Sequence, residues 1–201
     1  MTGYARTDIQ RIVEILNNLL NSCRAAVGGA FAGGKARTGN RSMGDIEQRL
    51  AAAGLTLPPA MPGVRLPFAF VQRTGSRLLF SGHGPQAPNG EIHAVRGKLG
   101  AQLDVAEGYD AARLVALSVL ASIQRELGSL DRVARWTRVF GMVNSAPAFC
   151  DQPAVINGFS DLILSLYGTV RGSHVRSAIG VAQLPFNIPV EVEGEVEVHA
   201  D

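Results

Sequence analysis

Apolar residues recur along this chain at two spacings, and the changes between them mark its elements. From Thr7 to Val27, Ile9, Ile12, Val13, Leu16, Leu20, Cys23 and Val27 fall on one face of an α-helix, with Asp8 placed as N-cap or first-turn acid. Asp45 to Ala53 predicts a short helix with Ile46 and Leu50 on one side and Gly54 as its stop. The period then drops. Phe68–Arg73 and Arg77–Ser81 read as two strands joined at Thr74-Gly75-Ser76, a hairpin; Gly82-His83-Gly84-Pro85 ends the second, and Asn89-Gly90 marks another tight turn.

Helical spacing returns at Asp104, which forms a capping box with Glu107 and opens a helix to Leu127. Its stripe of Tyr109, Ala112, Ala116, Leu120, Ile123 and Leu127, widened by Leu114, Leu117 and Ala121, suits packing on a sheet, and Gly128 closes it. Arg132–Asn144 predicts a strand with its arginines near one end and a buried apolar far end. Asp151 caps a second helix with Pro153 in its first turn, a core face of Val155, Ile156, Phe159, Leu162, Ile163 and Leu166, and an end at Tyr167-Gly168. Two strands close the chain. Val175–Val181 is the first. In the second, Ile188–Val198, Val190, Val192, Val196 and Val198 alternate with Glu191, Glu193, Glu195 and Glu197, the signature of a half-buried strand. Hairpin strands with helices between them predict an α+β fold, one mixed sheet covered by two helices on one face. The uncovered face needs a partner, so a homo-oligomer is expected.

Composition narrows the picture. The chain has 201 residues, 46% of them hydrophobic, enough for one domain with a real core. A net charge of +2 and 6% aromatic residues give no basic stripe and no stacking platform, so neither nucleic acid nor a membrane surface is an expected partner. No apolar run is long enough to span a bilayer. Two distant cysteines, Cys23 and Cys150, make no disulfide framework and fit a cytoplasmic protein. Residues 1–42 differ from the rest: after the first helix comes a Gly-rich stretch, and Arg6, Arg11, Arg24, Lys35, Arg37 and Arg41 face only Asp8 and Glu14. They read as an N-terminal extension outside the core, with residues 43–201 as the domain.

Most familiar chemistry is missing. GGAFAGGK follows no strand and lacks the Ser/Thr of a phosphate loop, and Phe80-Ser81-Gly82 lacks the first glycine of a nucleophile elbow. His83, His93, His174 and His199 have no i,i+4 pairing, so no metal site is expected. What remains is Ser81 and His83 at a strand end, Asn157 on a helix, and Arg176 and Glu191 on the last two strands. By pattern alone Arg176 is equally an edge-strand charge, Glu191 an outward-facing acid, Asn157 a helix-surface hydrogen-bonder and Ser81 a turn residue.

These residues carry a resemblance. Phe68, then Gly75-Ser76 and Leu78-Leu79-Phe80-Ser81-Gly82-His83-Gly84-Pro85, resemble the first hairpin of the RidA/YjgF reactive-intermediate deaminases. Arg176 through Leu184-Pro185, followed by Val190-Glu191-Val192-Glu193, resembles the closing signature of that family. Val143-Asn144-Ser145-Ala146-Pro147 and the segment Asp151–Leu162 are similar to those of its endoribonuclease L-PSP/chorismate mutase-like subgroup. The likeness runs from about Ile46 to Val198. It implies a chorismate-mutase-like fold, a homotrimer with clefts between subunits, and hydrolysis of enamine/imine intermediates of the 2-aminoacrylate type to 2-keto acids and ammonia. Carried over, Arg176 holds the substrate carboxylate, Glu191 activates the attacking water, and Ser81, Asn157 and the backbone of Ala178 line the cleft. Phe68 stands where the family usually has a tyrosine, and His83 where a glutamine is common. A guanidinium fork matches a planar carboxylate, and a partly buried carboxylate can accept a proton from water. An imine is already electrophilic, so no cofactor is expected. The alternative is a non-catalytic small-carboxylate binder or chaperone-like oligomer that reuses the cleft.

Overall fold

The computed structural model describes residues 44–63 and 66–200. The helix expected over Thr7–Val27, the linker after it and the domain start at Met43 lie outside them. The described elements are α1 (Asp45–Ala52), β1 (Val71–Thr74), β2 (Arg77–His83), α2 (Val105–Leu127), β3 (Val133–Asn144), α3 (Gln152–Gly172), β4 (Val175–Val181) and β5 (Val190–Val198), with 3-10 turns at Leu130–Arg132 and Pro185–Asn187. The strands form one mixed sheet in the order β1-β2-β5-β3-β4, all neighbours antiparallel except β3 and β4. The expected α+β layer is therefore present, and the last strand of the chain is the central one.

Local chemistry explains the boundaries that were legible. The Asp104 side chain accepts from the Glu107 N–H while the Glu107 carboxylate accepts from the Asp104 N–H, and Gly128 ends α2 at φ 78. Gly75 turns the β1–β2 hairpin at φ 61, a conformation that strains any residue with a Cβ. Other details differ from expectation: β2 runs on to His83 and β5 starts at Val190 rather than Ile188. β1 starts at Val71, so Phe68 lies before it. Asp151 precedes α3 but its side chain makes no capping hydrogen bond. α3 does not end at Gly168; the chain breaks there (φ 69, ψ 176) and makes one more turn to Gly172.

One face of the sheet is the core. Leu78, Phe80, Trp136, Val139, Val143, Val190, Val192 and Val196 are buried under α2 and α3, while the glutamates of β5 point away from the core. In β3 the buried residues Val133, Trp136 and Val139 are three apart, which no regular strand allows. Two register shifts against β5, between Val133 and Arg135 and between Trp136 and Arg138, each insert an extra residue and turn every one of them inward. Trp136 is the hub, with Phe80, Phe159 and Tyr167 meeting its ring edge-on at 5.8–5.9 Å. The opposite face keeps Leu79, Val175 and Ile179 exposed. Among the described residues no helix is long and apolar enough to cross a membrane.

Candidate functional site

The site begins with a bulge. Phe80 pairs with Gly194 and His83 with Val192, so β2 fits Ser81 and Gly82 into a space where β5 has one residue. Strict alternation from Phe80 would turn His83 to the open face. The extra residue turns it inward instead, where it is 4% exposed. Its Nδ1–H donates to the Ser81 carbonyl at 2.6 Å, because a carbonyl can only accept. Its Nε2 therefore accepts from the Ser122 hydroxyl at 3.0 Å, and Ser122 Oγ accepts from Arg125 Nη2 at 2.8 Å. Burial, with the nearby Arg125 cation, pushes the His83 imidazole down to about 4, so it is neutral near pH 7. Ser81 Oγ is turned away, donating to the Phe70 carbonyl at 3.3 Å.

Gly82 matters for what it lacks. A Cβ there would meet Glu191 Oε1 at 1.9 Å, so the carboxylate fills the space that a side chain would take. Glu191 extends from β5 into a cavity of about 560 Å³ at the end of the sheet where β2 leaves and β5 enters. Phe68, Phe70, Ile92, Phe186 and Ile188 give the cavity an apolar wall; His83, Gln86, Ser122, Arg125, Glu126 and Glu191 are its polar side chains. No hydrogen bond reaches the Glu191 carboxylate from the described residues. Burial first, and then the Glu193 carboxylate, pushes its pKa up. Phe186 sits at the rim, 67% exposed, in a turn where it and Asn187 both hold φ 56. Hydrogen bonds from Asn144 Nδ2 and Gln183 Nε2 to Asn187 Oδ1, each 3.1 Å, hold that strained turn.

Arg176 belongs to a second cluster. It lies on the edge strand β4 opposite Val139 and turns toward α3. Nη1 donates to Asn157 Oδ1 and to Ser160 Oγ, both at 3.0 Å, and Nη2 to the Pro153 carbonyl at 3.3 Å. The Ser160 hydroxyl donates to His174 Nε2 at 3.0 Å, and His174 Nδ1–H donates to the Gly172 carbonyl at 2.8 Å. Ser160, Leu164, His174 and Arg176 line a depression of about 210 Å³. Ala178 follows on the same face, opposite Gly141 and packed against the core.

The residues singled out in the sequence thus fall into two groups. Phe68, His83 and Glu191 share the large cavity, with Ser81 beside it; Asn157, Arg176 and Ala178 lie along β4 and α3. Arg176 and Glu191 do not meet within one chain. Val139, opposite Arg176, faces the core, whereas Met142, opposite Glu191, is three residues on in an unbroken stretch and faces the other way. The sequence reading missed Ser122 and Arg125. Its available signal was a pair of serines four apart, Ser118 and Ser122, buried at 1% and 6% on the otherwise apolar face of α2.

Comparison with known proteins places this arrangement. The family model described as "YjgF/chorismate_mutase-like, putative endoribonuclease" matches residues 47–193. The chain belongs to this YjgF/chorismate-mutase-like family. The matched region spans both clusters, from Phe68 to Glu191. Protein TCP17 of Trypanosoma cruzi is 43% identical over 156 residues, 78% of this chain and 96% of that protein. The crystal structure of Atu1372 from Agrobacterium tumefaciens, a protein with unknown function, superposes with a TM-score of 0.70 at 39% identity, covering 77% of this chain and 92% of that one. That of a putative endoribonuclease from Shewanella oneidensis MR-1 gives 0.71 at 32% identity, with 77% and 100% covered. The YjgF-like fold follows directly.

Proposed function

We propose that this YjgF-family chain hydrolyses 2-imino acids and their enamine tautomers, in clefts where Arg176 of one copy meets Glu191 of another. The observation that carries the reading is the Glu191 carboxylate, free of hydrogen bonds from the described residues and raised in pKa by burial at an apolar cavity. Such a group is a proton acceptor whose pKa has moved toward the working pH. Water adds to the carbon of the protonated imine as Glu191 takes its proton, which gives a neutral carbinolamine. Glu191 returns that proton to nitrogen and then takes the hydroxyl proton as the C–N bond breaks, so that ammonia leaves a 2-keto acid. Arg176 pairs with the substrate carboxylate through its guanidinium, which Asn157, Ser160 and the Pro153 carbonyl already orient.

Two copies are invoked because one chain keeps these groups on opposite faces of its sheet. The apolar side chains of Leu79, Val175 and Ile179 on the open face support assembly, and a homotrimer is the form that the sequence signature suggests. The cytoplasm, where enamines are released by dehydratases, is the setting we assign. Ammonia release from a dehydratase-generated enamine tests the reading: Arg176→Ala should lower kcat/KM at least about tenfold, the worth of a charged hydrogen bond, with the fold intact. Full activity in that variant refutes it. Phe68, 55% exposed at the cavity and without a hydroxyl, favours a second reading as a non-catalytic carboxylate binder. Binding of 2-keto acids by calorimetry without any turnover would establish that alternative.

A further inference from the structure

The Glu191 cavity is far larger than a three-carbon imine requires. Its volume of about 560 Å³ lies within the range of about 300–1,000 Å³ typical of pockets that enclose drug-sized ligands. Its wall is not merely apolar but aromatic. Phe68 meets Phe70 edge-on at 5.8 Å and 76°, and Phe70 lies against the His83 ring at 4.9 Å and 48°. His83 adds no charge to that wall, since both of its nitrogens are satisfied within the chain, by Ser81 and Ser122. The Arg125 guanidinium is likewise turned into the wall, donating to Ser122 Oγ and to the Pro58 carbonyl. Arg125 and Glu126 lie exposed on α2, while Glu191, beside the Gly82 bulge, is the carboxylate at the sheet end, in a cavity walled by Ile92, Ile188 and the aromatic rings.

We infer that the cavity selects 2-imino acids with a bulky apolar side chain, aromatic or branched, over the three-carbon 2-aminoacrylate. The inference rests on the reading of Glu191 as the site's proton acceptor. A three-carbon substrate would leave the aromatic wall wet and the carboxylate hydrated. A phenyl or branched aliphatic group fills the wall, expels that water and fixes the imine carbon over Glu191.

Ala60 gives the test a handle. It is exposed, lines the cavity, and lies outside both hydrogen-bonded clusters. Calorimetry with phenylpyruvate and pyruvate, stable product-side probes, should show phenylpyruvate binding at least about tenfold more tightly to the wild-type protein. Ala60→Trp, which fills the cavity, should abolish that preference by weakening phenylpyruvate alone. Equal or tighter binding of pyruvate, no binding of phenylpyruvate, or a preference that survives Ala60→Trp overturns the inference. Ammonia release from imines generated by an L-amino-acid oxidase, from phenylalanine and from alanine, separates this from the reading beneath it. No release from either, with the phenylpyruvate preference intact, refutes the hydrolase and leaves the ligand class standing.

Discussion

Unfolding exposes His83 to water, where it takes up a proton below about pH 6.5; in the folded chain it stays neutral down to about pH 4. Between those values the unfolded state binds more protons, so stability falls as the pH is lowered through that window and is fully present above it. The interval corresponds to roughly 3 kcal/mol. Denaturant melts at pH 7 and pH 4.5 should show a larger loss for the wild type than for His83→Gln, which retains a polar side chain but cannot titrate. Equal losses would mean that His83 is not the group responsible. At this scale the sequence was only half legible. His83 is legible as a departure from the family pattern, but its neutrality comes first from burial and then from the Arg125 cation, and both arise only when α2 packs on the sheet.

At the scale of elements, legibility followed locality. α2 was readable at both ends because each signal is local: Asp104 and Glu107 pair within the first turn, and the Gly128 N–H donates to the Gln124 carbonyl within the last. The bulges in β2 and β3 were not, because each is a property of two strands in register and the partner, β5, comes much later in the chain. Glycine contacts make the same point. A Cβ on Gly158 of α3 would meet the Tyr109 carbonyl oxygen of α2 at 2.0 Å, a backbone atom that cannot step aside; one on Gly82 would meet the mobile end of Glu191. The same change should therefore have opposite signatures. Gly158→Ala should cost about 1–3 kcal/mol and lower the thermal midpoint by several degrees. Gly82→Ala should leave the midpoint nearly unchanged while displacing the Glu191 carboxylate and reducing turnover. Calorimetric melts run beside an activity assay check both, and matching melts for the two variants would contradict the assignment.

At the scale of the molecule, the separation of Arg176 from Glu191 makes a demand on assembly. Chains carrying Arg176→Ala and chains carrying Glu191→Gln should each be inactive alone. Co-refolded in equal amounts, they should regain activity, since about a quarter of randomly formed clefts between copies would combine an intact arginine with an intact glutamate. A mixture as inactive as its components would contradict a shared site. The α+β order and the apolar open face were visible in the sequence. The face of Glu191 was visible too, in the Val/Glu alternation; that of Arg176 was not, because β4 pairs with β3 in parallel and a shift of one residue in that register would turn it to the other face.

The strand order also bears on how the chain is made. β5, the last of these five strands to leave the ribosome, is the one between β2 and β3. Until it emerges there is no sheet, only the β1–β2 hairpin and the β3–β4 pair with nothing to join them. Leu78 and Phe80 on one side, and Trp136 and Val139 on the other, wait for the valines of β5. Until β5 emerges the nascent chain carries a divided hydrophobic surface, and a chain that stops before Val190 is left as two unjoined halves.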